Sequence, residues 1–355
     1  MRSEQRIAIG KPLVRAKQGG WWLVLACLIM VLGTSLSFAA SEVGGKPEKS
    51  DVIVTYVQPS GVFTPIYVAY EGGIFKKYGL NAHLQLSNPQ VSAQAVVSGE
   101  ADFYTEGSDL INARLQGGRV KYFGATLQQF VFQVWTAKDI TSIQQVKGKT
   151  YAATTPRAAL DIATREAMKK NGLVADKDFK IMYVQTIPAV LTSIISGKAA
   201  AGTLSAPNNL KARDAGLNML ADIGKLSIPG LQMAYGTTEK YLNSNPNTVY
   251  AFLKAIAESV VLSKKDASLT KRAIAKYTKT DDLQMIEETY DQYAPYWMLS
   301  LAVQREAIQS HFGYLDEKDF PQAKNADARE FFDNSFVDNL ERSGFFSRIG
   351  FVRSK

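Results

Sequence analysis

An almost unbroken apolar, β-branched run, Val52 to Val57 (VIVTYV), gives way to the polar turn Gln58-Pro59-Ser60-Gly61. A run this short and this uniformly apolar predicts a central parallel strand, covered on both faces. Thr64-Pro65 then marks a helix start, with Thr64 as the capping residue and Pro65 already holding helical φ. Ile66, Ala69, Tyr70 and Ile74 follow at helical spacing, and Gly72-Gly73 lets the helix end. Lys76-Lys77-Tyr78-Gly79-Leu80 is a second stop, after which Ala82 to Leu86 alternates as a strand. Val91 to Ser98 reads as a helix closed by Gly99, Ala101 to Thr105 as a strand, and Leu110 to Leu115 as a helix capped by Ser108. Strands and helices alternating through loops this short predict an α/β fold with a mostly parallel sheet, because parallel neighbours need a crossover.

The pattern then repeats. Val120 to Ala125 and Val131 to Thr136 are strands, and Phe132 to Trp135 carries the chain into a second unit. There Thr150 to Ala153 is a strand, Thr154-Thr155-Pro156-Arg157 a polar turn, and Ala158 to Asn171 a helix with Leu160, Ala163, Ala167 and Met168 on one face. Lys169-Lys170-Asn171-Gly172-Leu173 echoes Lys76-Lys77-Tyr78-Gly79-Leu80, and Ser196-Gly197-Lys198-Ala199 echoes Ser98-Gly99-Glu100-Ala101. Between these stops lie a strand, Phe179 to Val184, and a helix, Pro188 to Ile195; Ala200 to Leu204 and Asn218 to Ile223 are further strands. Two similar units in succession predict two facing lobes with a cleft between them. A second crossing near Leu231 to Thr237 would complete a hinge. Beyond Pro246 the chain reads as helices: Val249 to Val260, Asp281 to Tyr293, Leu301 to Phe312 and Asp327 to Leu340. The aromatic group Tyr290, Tyr293, Tyr296 and Trp297 reads as packing rather than cleft, and the basic, aromatic stretch from Phe345 to Lys355 has no assigned place.

Composition alters this picture in two places. The formal charge of +8 comes in part from the first 39 residues, which hold five of the 41 basic residues and one of the 33 acidic ones; the remainder, 36 against 32, suggests neither nucleic acid nor an anionic membrane as partner. That same segment has a basic region ending at Lys17, an apolar run Trp21 to Leu32, and small residues at Ser37 and Ala39, the pattern of an export signal cleaved after Ala39. A retained membrane anchor and a lipid attached at Cys27 are the less favoured readings. Cys27 is the only cysteine, so the expected mature chain has no disulfide and no thiolate chemistry.

PIYVAYEGGIFKKYGL followed by VVSGEADF resembles, in order and spacing, the solute-binding components of ABC importers for nitrate, taurine, sulfonates and thiamine-precursor pyrimidines. The resemblance runs from about Asp51 to Tyr241. It implies a two-lobed periplasmic-binding-protein fold with a two-crossing hinge and C-terminal helices packed on the first lobe. The expected organisation is a signal peptide over 1–39, a linker over 40–50, lobe 1 over 51–132 and 235–345, lobe 2 over 133–234, and a tail over 346–355. It also implies a monomer in the periplasm, a small-molecule ligand, an ABC importer permease as partner, and no cofactor. The alternative is an exported enzyme on the same fold acting on a pyrimidine-like substrate; the yeast-type pyrimidine synthase of this fold carries a cysteine-rich iron site, whose ligands the expected mature chain lacks.

In open α/β sheets ligands sit at the carboxyl ends of strands, where helix N-termini present free N–H groups. The candidate residues are therefore Gln58, Ser60, Phe63 and Thr64 after the first strand, and Tyr104, Thr105, Glu106 and Ser108 after the third. In the second unit they are Thr154, Thr155 and Arg157, then Thr186, then Ser205 and Asn208. Arg157 suits a carboxylate or sulfonate, whereas Glu106, where the family has small or apolar residues, suits an amine or ring N–H. His83 and His311 stand without metal-ligand spacing, and no catalytic motif accompanies them.

Overall fold

The structure is a computed structural model that describes residues 43–298 and 300–350. The expected signal peptide, its cleavage point, the alternatives at Cys27 and the last five residues of the tail lie outside the described residues. The strands are β1 (Asp51–Tyr56), β2 (Asn81–Leu86), β3 (Tyr104–Glu106), β4 (Val120–Gln129), β5 (Gln133–Thr136), β6 (Thr150–Ala153), β7 (Lys180–Tyr183), β8 (Ala201–Leu204), β9 (Asn218–Asp222) and β10 (Pro229–Thr238). The helices of the two units are α1 (Thr64–Glu71), α2 (Ile74–Lys77), α3 (Pro89–Ser98), α4 (Asp109–Leu115), α5 (Ala159–Lys170), α6 (Ile187–Ile195) and α7 (Asn208–Asp214). After β10 come α8 (Glu239–Ser244), α9 (Pro246–Lys265), α10 (Ala267–Thr278), α11 (Leu283–Tyr293), α12 (Arg305–Tyr314), α13 (Ser335–Arg342) and α14 (Phe345–Arg348).

In the first lobe β1 and β2 run parallel, Val54 bridges to Phe103 in parallel, and β3, β10 and β4 continue with β10 antiparallel to both neighbours. The second sheet has the order β7-β6-β8-β5-β9, parallel over its first three strands and antiparallel on both sides of β5. The expectation of a mostly parallel sheet therefore holds only for the crossover part. β5 and β10 enter each sheet from the opposite end because each carries the chain from one lobe to the other, and that direction makes them antiparallel.

The crossings form a ribbon in which β4 pairs with β10 from Gln129↔Pro229 to Val120↔Thr238, with register shifts on the way. At its lobe-2 end the side chain of Gln232, almost wholly buried, takes a ladder position: Val131 N donates to its Oε1 at 2.5 Å and its Nε2 donates to Val131 O at 3.3 Å. Gly230 lies against the Phe130 ring, 2.3 Å from where a Cβ would stand, so no side chain fits there.

Two apolar layers cover the first lobe's sheet. On one face Phe252 of α9 stacks on Phe103 with ring centroids 4.3 Å apart and meets Phe75, Phe123 and Tyr235 within 6 Å. On the other, Tyr104, Leu110, Ile111 and Tyr122 pack with Ile308 and Phe312 of α12. The second lobe has its own core around Tyr151, Ile162, Met168, Val190 and Leu204. The first residues of the stretch with no assigned place form α14, whose Phe345 and Phe346 are buried in the first lobe's core, with Phe345 edge-on to Tyr78. Among the described residues no helix is long and apolar enough to cross a membrane, and no group of three or more His, Cys, Asp or Glu is placed to hold a metal ion.

Candidate functional site

The two lobes meet along the carboxyl ends of their strands. Ser60 Oγ lies 3.2 Å from Ser205 Oγ and donates to Ala206 O at 3.2 Å, and Gly61 N donates to the same carbonyl at 3.2 Å. Asn209 Nδ2 donates to Gln292 Oε1 at 2.8 Å, and Arg213 of α7 pairs with Glu288 of α11. Ala206 and Leu210, which belong to the second lobe in sequence, bury themselves in the first lobe's core. Gly107 is the tightest point. A Cβ there would stand 2.5 Å from Leu231 O in the hinge strand and 2.9 Å from Ala159 Cβ at the start of α5. The β3–α4 loop thus abuts the turn that follows β6.

Arg157 stands at the rim of this contact. Its φ of 63° is a left-handed value that costs a non-glycine residue about 1 kcal/mol or more. Two bonds hold it: its N–H donates to the buried Asp161 at 2.8 Å, and its carbonyl accepts from Asn112 Nδ2 at 3.4 Å. Asn112 in turn accepts from His311 Nε2 at 2.9 Å, which makes Nε2 the protonated nitrogen. Burial drives the His311 pKa down to about 3, so the ring is neutral at ordinary pH. The guanidinium of Arg157 pairs with Asp319 and lies 5.4 Å from the centre of the Phe320 ring. Arg157 and Pro156 wall two pockets: one of about 250 Å³ reaching α3 and α4, and one of about 360 Å³ reaching Asp161, Tyr183 and Asp316.

Asp109 lines the first pocket, and Glu106, outside that lining, feels its charge. Glu106 and Asp109 are both more than nine-tenths buried, and Tyr104 donates its phenol proton to Asp109 Oδ2 at 2.8 Å. Burial raises both carboxyls: Glu106 well above the carboxylate range, with the Asp109 charge adding to it, and Asp109 to about 6. Several buried atoms of both lobes have no hydrogen-bond partner among the described residues. They are Glu106 Oε2 and Ser108 Oγ from the first lobe, Thr155 Oγ1 and Asn209 Oδ1 from the second, Gln292 Nε2 and Tyr293 OH from α11, and Trp297 Nε1 from the segment that follows it. Each such group costs about 1–3 kcal/mol while unpaired. Asn209 and Gln292 bond to each other across the interlobe contact and Tyr293 OH sits by Ser60 and Ser205, so that contact keeps polar capacity that a ligand can complete.

The model of the family described as NMT1/THI5 like matches residues 60–266, more than half of the chain. The chain belongs to that family. No curated protein is similar enough in sequence to be matched. Among solved structures, the alkanesulfonate-binding protein SsuA from Xanthomonas axonopodis pv. citri, bound to MOPS, is similar at TM-score 0.65 and 14% identity, over 82% of this chain and 97% of that one. The periplasmic nitrate-binding protein NrtA from Synechocystis PCC 6803 is similar at TM-score 0.67 and 14% identity, over 85% and 90%. A Bordetella bronchiseptica RB50 protein reaches TM-score 0.73 at 18% identity, over 86% and 100%. At these identities the likeness establishes the fold, a two-lobed periplasmic-binding-protein fold, as the resemblance to importer solute-binding components implied.

The expected site residues divide into three groups. Ser60, Glu106, Ser108, Thr155, Ser205 and Asn208 are buried where the lobes meet, and Thr154 is buried beside them with its carbonyl accepting from Gln185 N at 2.9 Å. Phe63, Thr64, Tyr104 and Thr105 are buried in local bonding or packing: Phe63 against Tyr56 and Tyr67, Thr64 Oγ1 on Gly61 O at 2.6 Å, Tyr104 on Asp109, Thr105 on Thr55 O. Gln58 offers its carbonyl to Tyr67 OH at 3.2 Å, Arg157 is engaged at the rim, and Thr186 is exposed and caps α6. The expected caps need correction. Thr64 is the first helical residue, Ser60 caps the short turn before it, and Ser108 makes no cap bond, its buried hydroxyl having no partner among the described residues. The residues missed are Asp109, Asn112, Gln292, Tyr293 and Asp319. Tyr293, read as packing, is fully buried; its ring lies 2.8 Å from where a Gly61 Cβ would stand, and its hydroxyl sits by Ser60 and Ser205 without a bond of good geometry.

Proposed function

We propose that the protein is an exported, monomeric solute-binding protein, which captures a small organic molecule between its lobes in the periplasm and delivers it to an ABC importer permease. One observation carries this reading: buried polar side chains meet across the interlobe contact, Ser60 with Ser205 and Asn209 with Gln292, and Asn209 Oδ1 and Gln292 Nε2 keep bonding capacity without a partner. A ligand that bonds to both sides at once stabilises the closed form over the open one, which is the condition for ligand-driven closure. The names of the similar structures, an alkanesulfonate-binding and a nitrate-binding protein, support the same class. The ligand class left open by the sequence was an organic anion, through Arg157, or a basic heterocycle, through Glu106. Asp319 engages Arg157 and weakens the first.

A thermal-shift panel of sulfonates, nitrate, aromatic acids, amines and pyrimidines tests the proposal. A binder at 100 times its Kd adds about 2.7 kcal/mol of stability, and small-angle scattering should show a more compact particle with it. Mass spectrometry of the bound molecule before and after incubation discriminates the exported-enzyme alternative: chemical turnover would defeat the binding reading.

A further inference from the structure

The two lobes meet along two seams that lie over opposite faces of the first lobe's sheet. Alternate residues of a strand point to opposite faces. Phe103, Phe123 and Tyr235 enter the layer that holds Phe252, Tyr293 and Trp297, whereas their neighbours Tyr104, Tyr122 and Ala234 enter the layer that holds Ile308, Phe312 and Phe320. α7 and the turn before it meet the first layer; the Arg157 turn meets α4 and Phe320 of the second. The α7 seam is enclosed. Ala206 is 0% and Leu210 8% exposed, both inserted in the first lobe's core, and Gly61 N and Ser60 Oγ each donate to Ala206 O at 3.2 Å. Asn209, 0% exposed, donates from Nδ2 to Gln292 Oε1 of α11 and to Gln133 Oε1 of the crossing strand β5, each at 2.8 Å, so one side chain ties α7 to both. Separating this seam would return apolar side chains to water and break buried polar contacts. The Arg157 seam is open to water. The Arg157 and Asp319 side chains are each 43% exposed, the Asn112 bond to Arg157 O is long at 3.4 Å, and the cavities of about 250 and 360 Å³ walled by Arg157 interrupt it. A half-exposed ion pair holds weakly and is screened by salt.

Resting on the solute-binding reading for its purpose, we propose that the lobes part at one seam only. α7 stays seated on α11 as a pivot beside the strand crossings, and the gap forms between Arg157 and Asp319, which makes that edge the solute's entrance. Rotation about a line through the crossings and the seated helix keeps the buried contacts of the first seam and breaks only the half-exposed ones of the second. A few backbone torsions at the crossings absorb such a rotation. Asn209 and Gln292, which keep bonding capacity, lie at the pivot, so the swing of the opposite edge brings the entering solute to them and closure returns the Arg157 turn over it.

Paired spin labels on the full exported chain, carrying Cys27→Ser, test this without any solute. The first pair, K211C/D291C, joins α7 to α11. The second, Q116C/K177C, spans the Arg157 edge, with Gln116 on the first lobe's wall of one cavity and Lys177 next to Asp176 on the second lobe's wall of the other. All four positions are exposed. Dipolar spectroscopy should give one narrow distance for the first pair, which neither D319N nor about 0.5 M salt alters. The second pair should show an additional longer distance, whose population D319N and the salt each raise by about two- to fivefold. A longer distance in the first pair overturns the pivot. A single narrow distance in the second pair under all conditions, or a longer one that neither D319N nor salt raises, overturns the entrance. Should D319N fail to fold, the salt series on the parent decides by the same criteria. A hit from the solute panel should remove the longer distance of the second pair and leave the first unchanged. A panel without a hit undoes the solute-binding reading, while the label distances still decide the pivot.

Discussion

Replacing Asp109 by Asn isolates the cost of burying a second carboxylate in the first lobe. Asn has almost the same volume and keeps an oxygen to accept the Tyr104 proton, so the substitution removes chiefly the charge. Burial raises the Asp109 pKa from 3.8 to about 6. Because the folded carboxyl holds its proton more tightly than the unfolded one, its contribution to stability is fully present below about pH 3.8 and is lost as pH rises through 6. The separation corresponds to about 3 kcal/mol at 1.36 kcal/mol per unit. D109N should therefore be more stable than the parent by up to about 3 kcal/mol at pH 8, and by less than about 1 kcal/mol near pH 4. The position at the start of α4, where a negative charge is favourable, subtracts about 0.5 kcal/mol from the gain. Urea unfolding at the two pH values, with unchanged m-values, measures it. A D109N protein destabilised equally at both would refute the reasoning, for it would mean that the ionised group is well solvated or paired.

Three further outcomes follow from the packing. Phe252→Ala removes the ring at the centre of the first lobe's aromatic stack and should cost about 3–5 kcal/mol in chemical denaturation; a loss below 1 kcal/mol would show that the stack is not formed. Gly107→Ala should keep the lobes apart, since backbone at 2.5 Å cannot give way, and scattering should report an expanded particle that solute no longer compacts. Asp319→Asn breaks a half-exposed ion pair across the cleft and should shift the closed-to-open ratio by no more than about fivefold, an effect that 0.5 M salt reproduces in the parent.

Local pattern made much of this fold legible. The VIVTYV run, the repeated lysine-glycine-leucine stops and the polar turns at strand ends correspond to β1, the ends of α2 and α5, and the loops that meet between the lobes. What escaped depends on distant partners. α10 (ASLTKRAIAKYT) has half of its positions apolar but three of those six are alanine, and its Tyr277 stacks on the distant Tyr67 with ring centroids 4.1 Å apart. The helix expected over 327–340 breaks because Phe332 pairs with Tyr122 as an extended residue and Asp333 N donates to Tyr122 O at 2.8 Å. Arg157 looked available for an anion because Asp319 lies 162 residues further along the chain. Asp109 drew no attention as a helix-start acid, yet it is buried, with the Tyr104 hydroxyl of the preceding strand on its carboxylate.

The Gln232 clasp on Val131 has a mechanical consequence. A backbone partner in a ladder is locked to its strand, so swinging the strand breaks the bond. A side-chain amide turns about its own torsions and can track a rotating peptide through several degrees with both contacts intact. The connection between the halves is therefore more compliant at Val131 than at its neighbour, where the backbone bond from Phe130 N to Ile228 O ties the two crossings strand to strand.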